Sequence, residues 1–124
     1  MVPIEYLAAG NVYATRRELG LFARHDDKFV RRRVAENYNT LHELLVILVG
    51  DEDPEVRLSV ANNQRATLAM LEALIRDNSV DVHFGLAENP LIPIKLLKQL
   101  STDENPYVAS RARTTLARLL RIAA

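Results

Sequence analysis

Val30-Arg31-Arg32-Arg33-Val34-Ala35-Glu36-Asn37 is answered 26 residues later by Val56-Arg57-Leu58-Ser59-Val60-Ala61-Asn62-Asn63, and again by Val82-His83-Phe84-Gly85-Leu86-Ala87-Glu88-Asn89. One step back, Ile4-Glu5-Tyr6-Leu7-Ala8-Ala9-Gly10-Asn11 follows the same plan. One step forward, Val108-Ala109-Ser110-Arg111-Ala112-Arg113-Thr114-Thr115 keeps the apolar positions and loses the asparagine. A fixed period of this length is the mark of a stack of units, each too small to bury its apolar face except against its neighbours. The expectation is an all-α solenoid of about four repeats, 4–29, 30–55, 56–81 and 82–107, forming a single domain over residues 1–124.

The other half of the period recurs too. Leu19, Leu45, Leu71 and Leu97 form one column, and Phe22, Leu48, Leu74 and Leu100 form another three residues on. That spacing places both on one helical face. Thr15 with Glu18, and Thr40 with Glu43, match the capping box that starts a helix. Pro93 suits a first helical position. Polar corners follow at His25–Asp27, Gly50–Pro54, Asp77–Ser79 and Asp103–Pro106. Asp53-Pro54 and Asn105-Pro106 read as an N-cap with a proline opening a second, shorter helix. Each unit is thus expected to hold a longer α-helix, a corner, a short α or 3₁₀ helix of about 54–61 in its unit, and an asparagine-bearing loop. Asparagine there tolerates a left-handed helix end or bonds the backbone of an adjacent turn. The last copy runs on without a break, which predicts a capping helix over 106–121. Its Arg111, Arg113, Arg118 and Arg121 should face water, with Leu116, Leu119 and Leu120 covering the stack.

The repeated Val-Arg-x-x-Val-Ala-x-Asn phrase, the leucine columns and the aspartate corner resemble the leucine-rich repeat variant family. Residues 82–108 match best, through Val82, Leu86, Ala87, Asn89, Pro90, Pro93, Leu96, Leu97, Leu100 and Asp103. The resemblance covers about residues 4–115. It implies a right-handed superhelix of HEAT-like character and no shared catalytic residues. The unit here is slightly longer than that family's, and Val12, Tyr38 and Gln64 stand where Pro90 would be matched.

Composition fits such a binding module. The 124 residues are 48% hydrophobic and 26% charged, so one domain with an ordinary core is expected. Cysteine is absent, which excludes disulfides and thiolate chemistry and fits a reducing, cytoplasmic setting. No apolar run is long enough for a membrane span, and the first residues lack the pattern of a secretory signal. Net charge is zero but unevenly spread: residues 1–33 carry seven basic and four acidic groups, 34–90 three and ten, and 91–124 six and two. In a solenoid this makes an acidic middle between basic ends, a field that steers partners.

Catalytic and metal patterns are missing. His25, His42 and His83 lack zinc-site spacing, and His25-Asp26-Asp27 reads better as a turn than as a cation site. Asp51, Asp77 and Asp103 recur with the period, which favours capping over acid–base work. There is no glycine-rich phosphate loop and no GxSxG. No enzyme activity, cofactor or metal is therefore expected. The densest candidate surface is N-terminal, where Tyr13, Arg16, Arg17, Arg31, Arg32, Arg33 and Tyr38 cluster. Arginine and tyrosine are the residue types enriched at binding hot spots. Leu58 and Phe84, sharing a column with Tyr6 and Arg32, either pack between units or extend that surface. The expected function is a non-enzymatic scaffold that binds a protein through one face of the superhelix. Ile4, Tyr6 and Leu7 offer a self-association face at the N-terminal end. Nucleic-acid binding through the Arg/Tyr segment is the less favoured alternative, since phosphate contacts need only basic side chains while residues 34–90 are acidic.

Overall fold

A computed structural model describes residues 3–123, with side chains through Ile122. Every regular element among them is an α-helix: α1 (Ile4–Ala9), α2 (Arg16–Phe22), α3 (Lys28–Glu36), α4 (His42–Leu48), α5 (Pro54–Val60), α6 (Leu68–Ile75), α7 (Val80–Glu88), α8 (Ile94–Leu100) and α9 (Pro106–Ala123). The protein is all-α, and none of these helices is long and apolar enough to cross a membrane. The chain divides into two compact units, Met1–Met70 and Leu71–Ala124.

In the first unit α3 lies between α1 and α5, with α2 and α4 packed on α3. Its core is made of the repeat columns themselves. Leu19, Val30, Val34, Ala35, Leu45, Leu48, Val56 and Val60 have no exposed surface. Each such leucine or valine contributes on the order of 1.5–3 kcal/mol by leaving water. In the second unit α9 packs on α7 and α8, and Val82, Leu86, Ala87, Leu96, Leu97, Leu100, Val108 and Ala112 are buried. Ile4, which opens the first copy, departs from its column. It is 76% exposed and Leu7 is 64% exposed, so the N-terminal copy leaves apolar surface uncovered.

Helix starts follow local chemistry. The Thr15 hydroxyl accepts from the Glu18 amide at 3.1 Å and the Glu18 carboxylate accepts from the Thr15 amide at 2.9 Å, closing a capping box. Asp27 and Asp53 cap α3 and α5, each accepting at 2.8 Å from the amide two residues on. Asn105 accepts from the amides of Tyr107 and Val108 at the head of α9. Pro93 stands one position ahead of its helix rather than inside it.

Three expectations need correction. Thr40 does not cap α4, whose N-cap is Leu41 without a side-chain bond. The Thr40 hydroxyl is buried and donates to the Val34 carbonyl at 2.6 Å instead. It adds a second donor to a carbonyl in the last turn of α3 that also accepts from the Asn37 amide at 3.1 Å. The valine-bearing helix is the shorter partner in only two units: α1 and α5 have six and seven residues against seven and eight in α2 and α6, whereas α3 and α7 have nine against seven in α4 and α8. In the capping helix Leu116 and Leu119 are half-buried, but Leu120 is 56% exposed and Arg111 is half-buried.

Candidate binding surface

The asparagine column ties successive copies together. Each of Asn11, Asn37, Asn63 and Asn89 accepts at 2.8–2.9 Å from the amide two residues ahead, closing a turn. The carboxamides of Asn37 and Asn63 then reach backward along the chain. Asn37 Nδ2 donates to the carbonyls of Ala9 (2.8 Å) and Asn11 (3.0 Å). Asn63 Nδ2 donates to those of Ala35 and Asn37, both at 2.8 Å. The steps are 28 and 26 residues both times. No described non-glycine residue has positive φ, and Asn37 and Asn89 are extended, so the column is chosen for its amide and not for left-handed tolerance. At the copy that loses its asparagine, the buried Thr115 hydroxyl donates to Ala87 O at 2.6 Å and keeps the 28-residue link.

A second column builds the corners. Asp51, Asp77 and Asp103 each accept from the amide two residues on at 2.9 Å, and His25 Nδ1 does so at 3.0 Å. Arg31 binds two such corners at once. Its Nε and Nη2 grip Asp51 at 2.8 and 3.2 Å, while Nη1 donates to the carbonyls of His25 (2.7 Å) and Asp26 (3.0 Å). The forked bond to Asp51 raises the Arg31 pKa above its ordinary value, against the opposing effect of burial. Arg57 repeats the carbonyl bonds, to Asp51 at 2.8 Å and Glu52 at 3.2 Å. His83 occupies the same column in the second unit, with Nδ1 2.9 Å from Asp103 Oδ2.

The candidate residues therefore fall into different settings. Arg31 is only 8% exposed and every guanidinium nitrogen is engaged, so this side chain joins corners instead of offering itself to a partner. Arg33 lies 4.8 Å over the Tyr6 ring, in space that a β-carbon at Gly10 would take. Arg32 is half-buried, 3.5 Å from Glu55 and 5.7 Å from the Phe29 ring. With Leu58, Ser59, Glu36, Glu55 and Asn62 it lines a recess of about 260 Å³. Tyr38, 56% exposed, stacks with Arg65 at 4.7 Å. Arg65 carries no repeat-column signal; its closeness to Tyr38 follows from lying one period and one residue later. Tyr13 is 88% exposed beside a separate recess with Asn11 and Glu18. Arg16 and Arg17 are exposed in the first turn of α2. Phe84, in the second unit, is 37% exposed.

Among the described residues no group of three or more His, Asp or Glu side chains converges where a metal ion would sit. The Thr15 amide and hydroxyl lower the Glu18 pKa. Burial would raise Asp53, but the amides of Glu55 and Val56 and the Lys28 ammonium outweigh it and lower its pKa. Scans against family profiles, curated proteins and solved structures each returned no match.

Proposed function

We propose that this chain is a right-handed α-solenoid of about four 26-residue repeats, of leucine-rich repeat variant type, acting as a non-enzymatic scaffold for another protein in the cytoplasm. The observation that carries the reading is the repetition of one bonding scheme at 26 residues. Asn37 and Asn63 make the same pair of backward bonds, and Arg31 and Arg57 hold corner carbonyls in the same way. Polar side chains that recur with the period are thereby committed to joining units, which leaves variable positions between them as the contact surface. On the first unit those are Arg32 and Leu58 at one recess, and Tyr38 stacked with Arg65. Aromatic and arginine side chains with half-buried apolar neighbours are the composition of a protein-binding hot spot.

A photoreactive residue placed at Tyr38 or Leu58 should crosslink one discrete protein, and the same group at exposed Val46 should not. Equal labelling at all three positions, or labelling at none, counts against the scaffold. Self-association through exposed Ile4 and Leu7 is the matching proposal for the N-terminal end. Sedimentation of Leu7→Glu against the parent checks it, a lower mass in the variant being the supporting result.

The nucleic-acid reading rests on Arg16 and Arg17, which are exposed and hold no ion pair among the described residues. The rest of that segment is weaker for phosphate contacts, because Arg31 is enclosed and Arg32 and Arg33 lie on Glu55 and Tyr6. Gel shifts across salt concentration separate the two: phosphate binding weakens steeply as salt rises.

A further inference from the structure

The second unit contains a basic recess that the scaffold reading does not use. It has a volume of about 180 Å³ and is lined by Arg111, Thr114, Thr115, Arg118 and Arg121 of α9, with Glu88 and Pro90 from the end of α7 and the loop beyond it. Arg111 and Arg118 stand two helical turns apart and so share a face, and Arg121 follows less than a turn later. None of the three makes an ion pair or a side-chain hydrogen bond among the described residues. Nothing on that face of α9 offsets their repulsion, and Arg118 and Arg121, three residues apart, are like-charged helix neighbours of the kind that disfavours a helix. Glu88 is the one carboxylate in the lining, and it pairs with none of them.

Arg111 supplies the sharper sign. Its Nε is buried without a hydrogen-bond partner. A buried N–H left unsatisfied costs free energy and calls for an explanation. Arg33 shares the trait, but its guanidinium lies on the Tyr6 ring. Arg111 has no such ring. The other polar groups in the recess cannot donate: the Thr115 hydroxyl is given to Ala87 O, the Thr114 hydroxyl to Ser110 O, and Pro90 has no N–H. The donors that face the cavity are guanidinium N–H groups, which bind tetrahedral and planar oxyanions in forked pairs. Three of them against one carboxylate leave two positive charges, which a dianion matches and a single carboxylate does not.

We infer that this recess is a binding site for a phosphate-class dianion, held by Arg111, Arg118 and Arg121. The site is independent of the protein-docking reading and stands or falls alone. The probe is inorganic phosphate titrated into the ¹⁵N-labelled full chain at constant ionic strength, followed at the Arg111 Nε–Hε resonance. The expected result is a saturating shift that sodium chloride does not reproduce. Arg118→Gln with Arg121→Gln, both at exposed positions, should raise the Kd about tenfold or more with an unchanged thermal melt. Arg16→Gln with Arg17→Gln removes equal charge elsewhere and should leave the Kd within about twofold. Arg111→Lys keeps the charge but loses the fork, and should weaken binding while preserving the fold. Phenyl phosphate, with phenol as its control, identifies the source: tighter binding than inorganic phosphate means a phosphoryl group carried on a larger molecule, and weaker binding means the free ion. A shift that grows linearly without saturating, an equal response to chloride, or equal weakening by both double variants would overturn the site.

Discussion

Two arginine-rich stretches of this molecule look alike in composition and differ in what surrounds them. In Arg31-Arg32-Arg33 each guanidinium has a place inside the first unit: Arg31 on Asp51 and two carbonyls, Arg32 beside Glu55, Arg33 over Tyr6. On α9, Arg111, Arg118 and Arg121 line a cavity and pair with nothing among the described residues. Density of charge therefore says little about binding. The informative quantity is charge for which the fold supplies no counterpart, because an arginine already held by a carboxylate must break that bond to meet a ligand.

The comparison is most easily broken at Arg31. Arg31→Ala leaves Asp51 and two corner carbonyls without their partner in a site where both charged side chains are 9% exposed. It should cost about 3–5 kcal/mol, the usual loss when one member of a buried pair is removed. A urea midpoint close to that of the parent would show the pair to be dispensable. The asparagine column comes next. Asn63→Ala removes the carboxamide bonds to Ala35 O and to Asn37 O, the second of which keeps the Thr40 amide, and should cost about 2–3 kcal/mol, whereas Thr115→Val removes one bond and should cost about 1–2 kcal/mol. Equal losses would mean that the threonine does the whole work of the asparagine.

Acid provides a smaller lever. Folded Asp53 and Glu18 hold protons less tightly than they do in the unfolded chain, so they stabilise the fold above the ordinary carboxylate range. That contribution fades as pH falls from about 5 towards 3. Asp53→Asn should flatten the pH dependence of the urea midpoint in this window; an unchanged slope would remove Asp53 from the explanation. The smallest effects belong to Arg32→Ala and Arg118→Gln, each within about 0.5 kcal/mol of the parent in stability. On the proposed readings the first should weaken only partner binding and the second only anion binding, so calorimetry on both variants sharpens the contrast between the stretches.

Much of this was legible in the chain itself. The 26-residue step places the buried columns through Val30, Val56, Val82 and Val108 and through Leu19, Leu45, Leu71 and Leu97, because a repeated unit must bury the same positions each time. Thr15, Asp53 and the aspartate corners were equally plain, since caps act over two or three residues. What was hidden depends on distant partners. Thr40 and Glu43 satisfy a local motif, yet the hydroxyl finds the Val34 carbonyl instead. Arg31 looked like part of an exposed basic cluster. Its enclosure follows from Asp51, twenty residues away, and the recurrence of Arg31, Arg57 and His83 at the period was the clue to a structural column. The recess on α9 was missed because arginines expected to face water give no sign, one by one, that they share a cavity with Glu88.

The backward asparagine bonds are the central claim, and a solution experiment sees them directly. Scalar couplings across hydrogen bonds, recorded from side-chain amides to backbone carbonyl carbons, should link Asn37 to Ala9 and Asn11, and Asn63 to Ala35 and Asn37. Carboxamide protons of Asn37 and Asn63 that exchange freely with water and couple to no carbonyl would contradict the account.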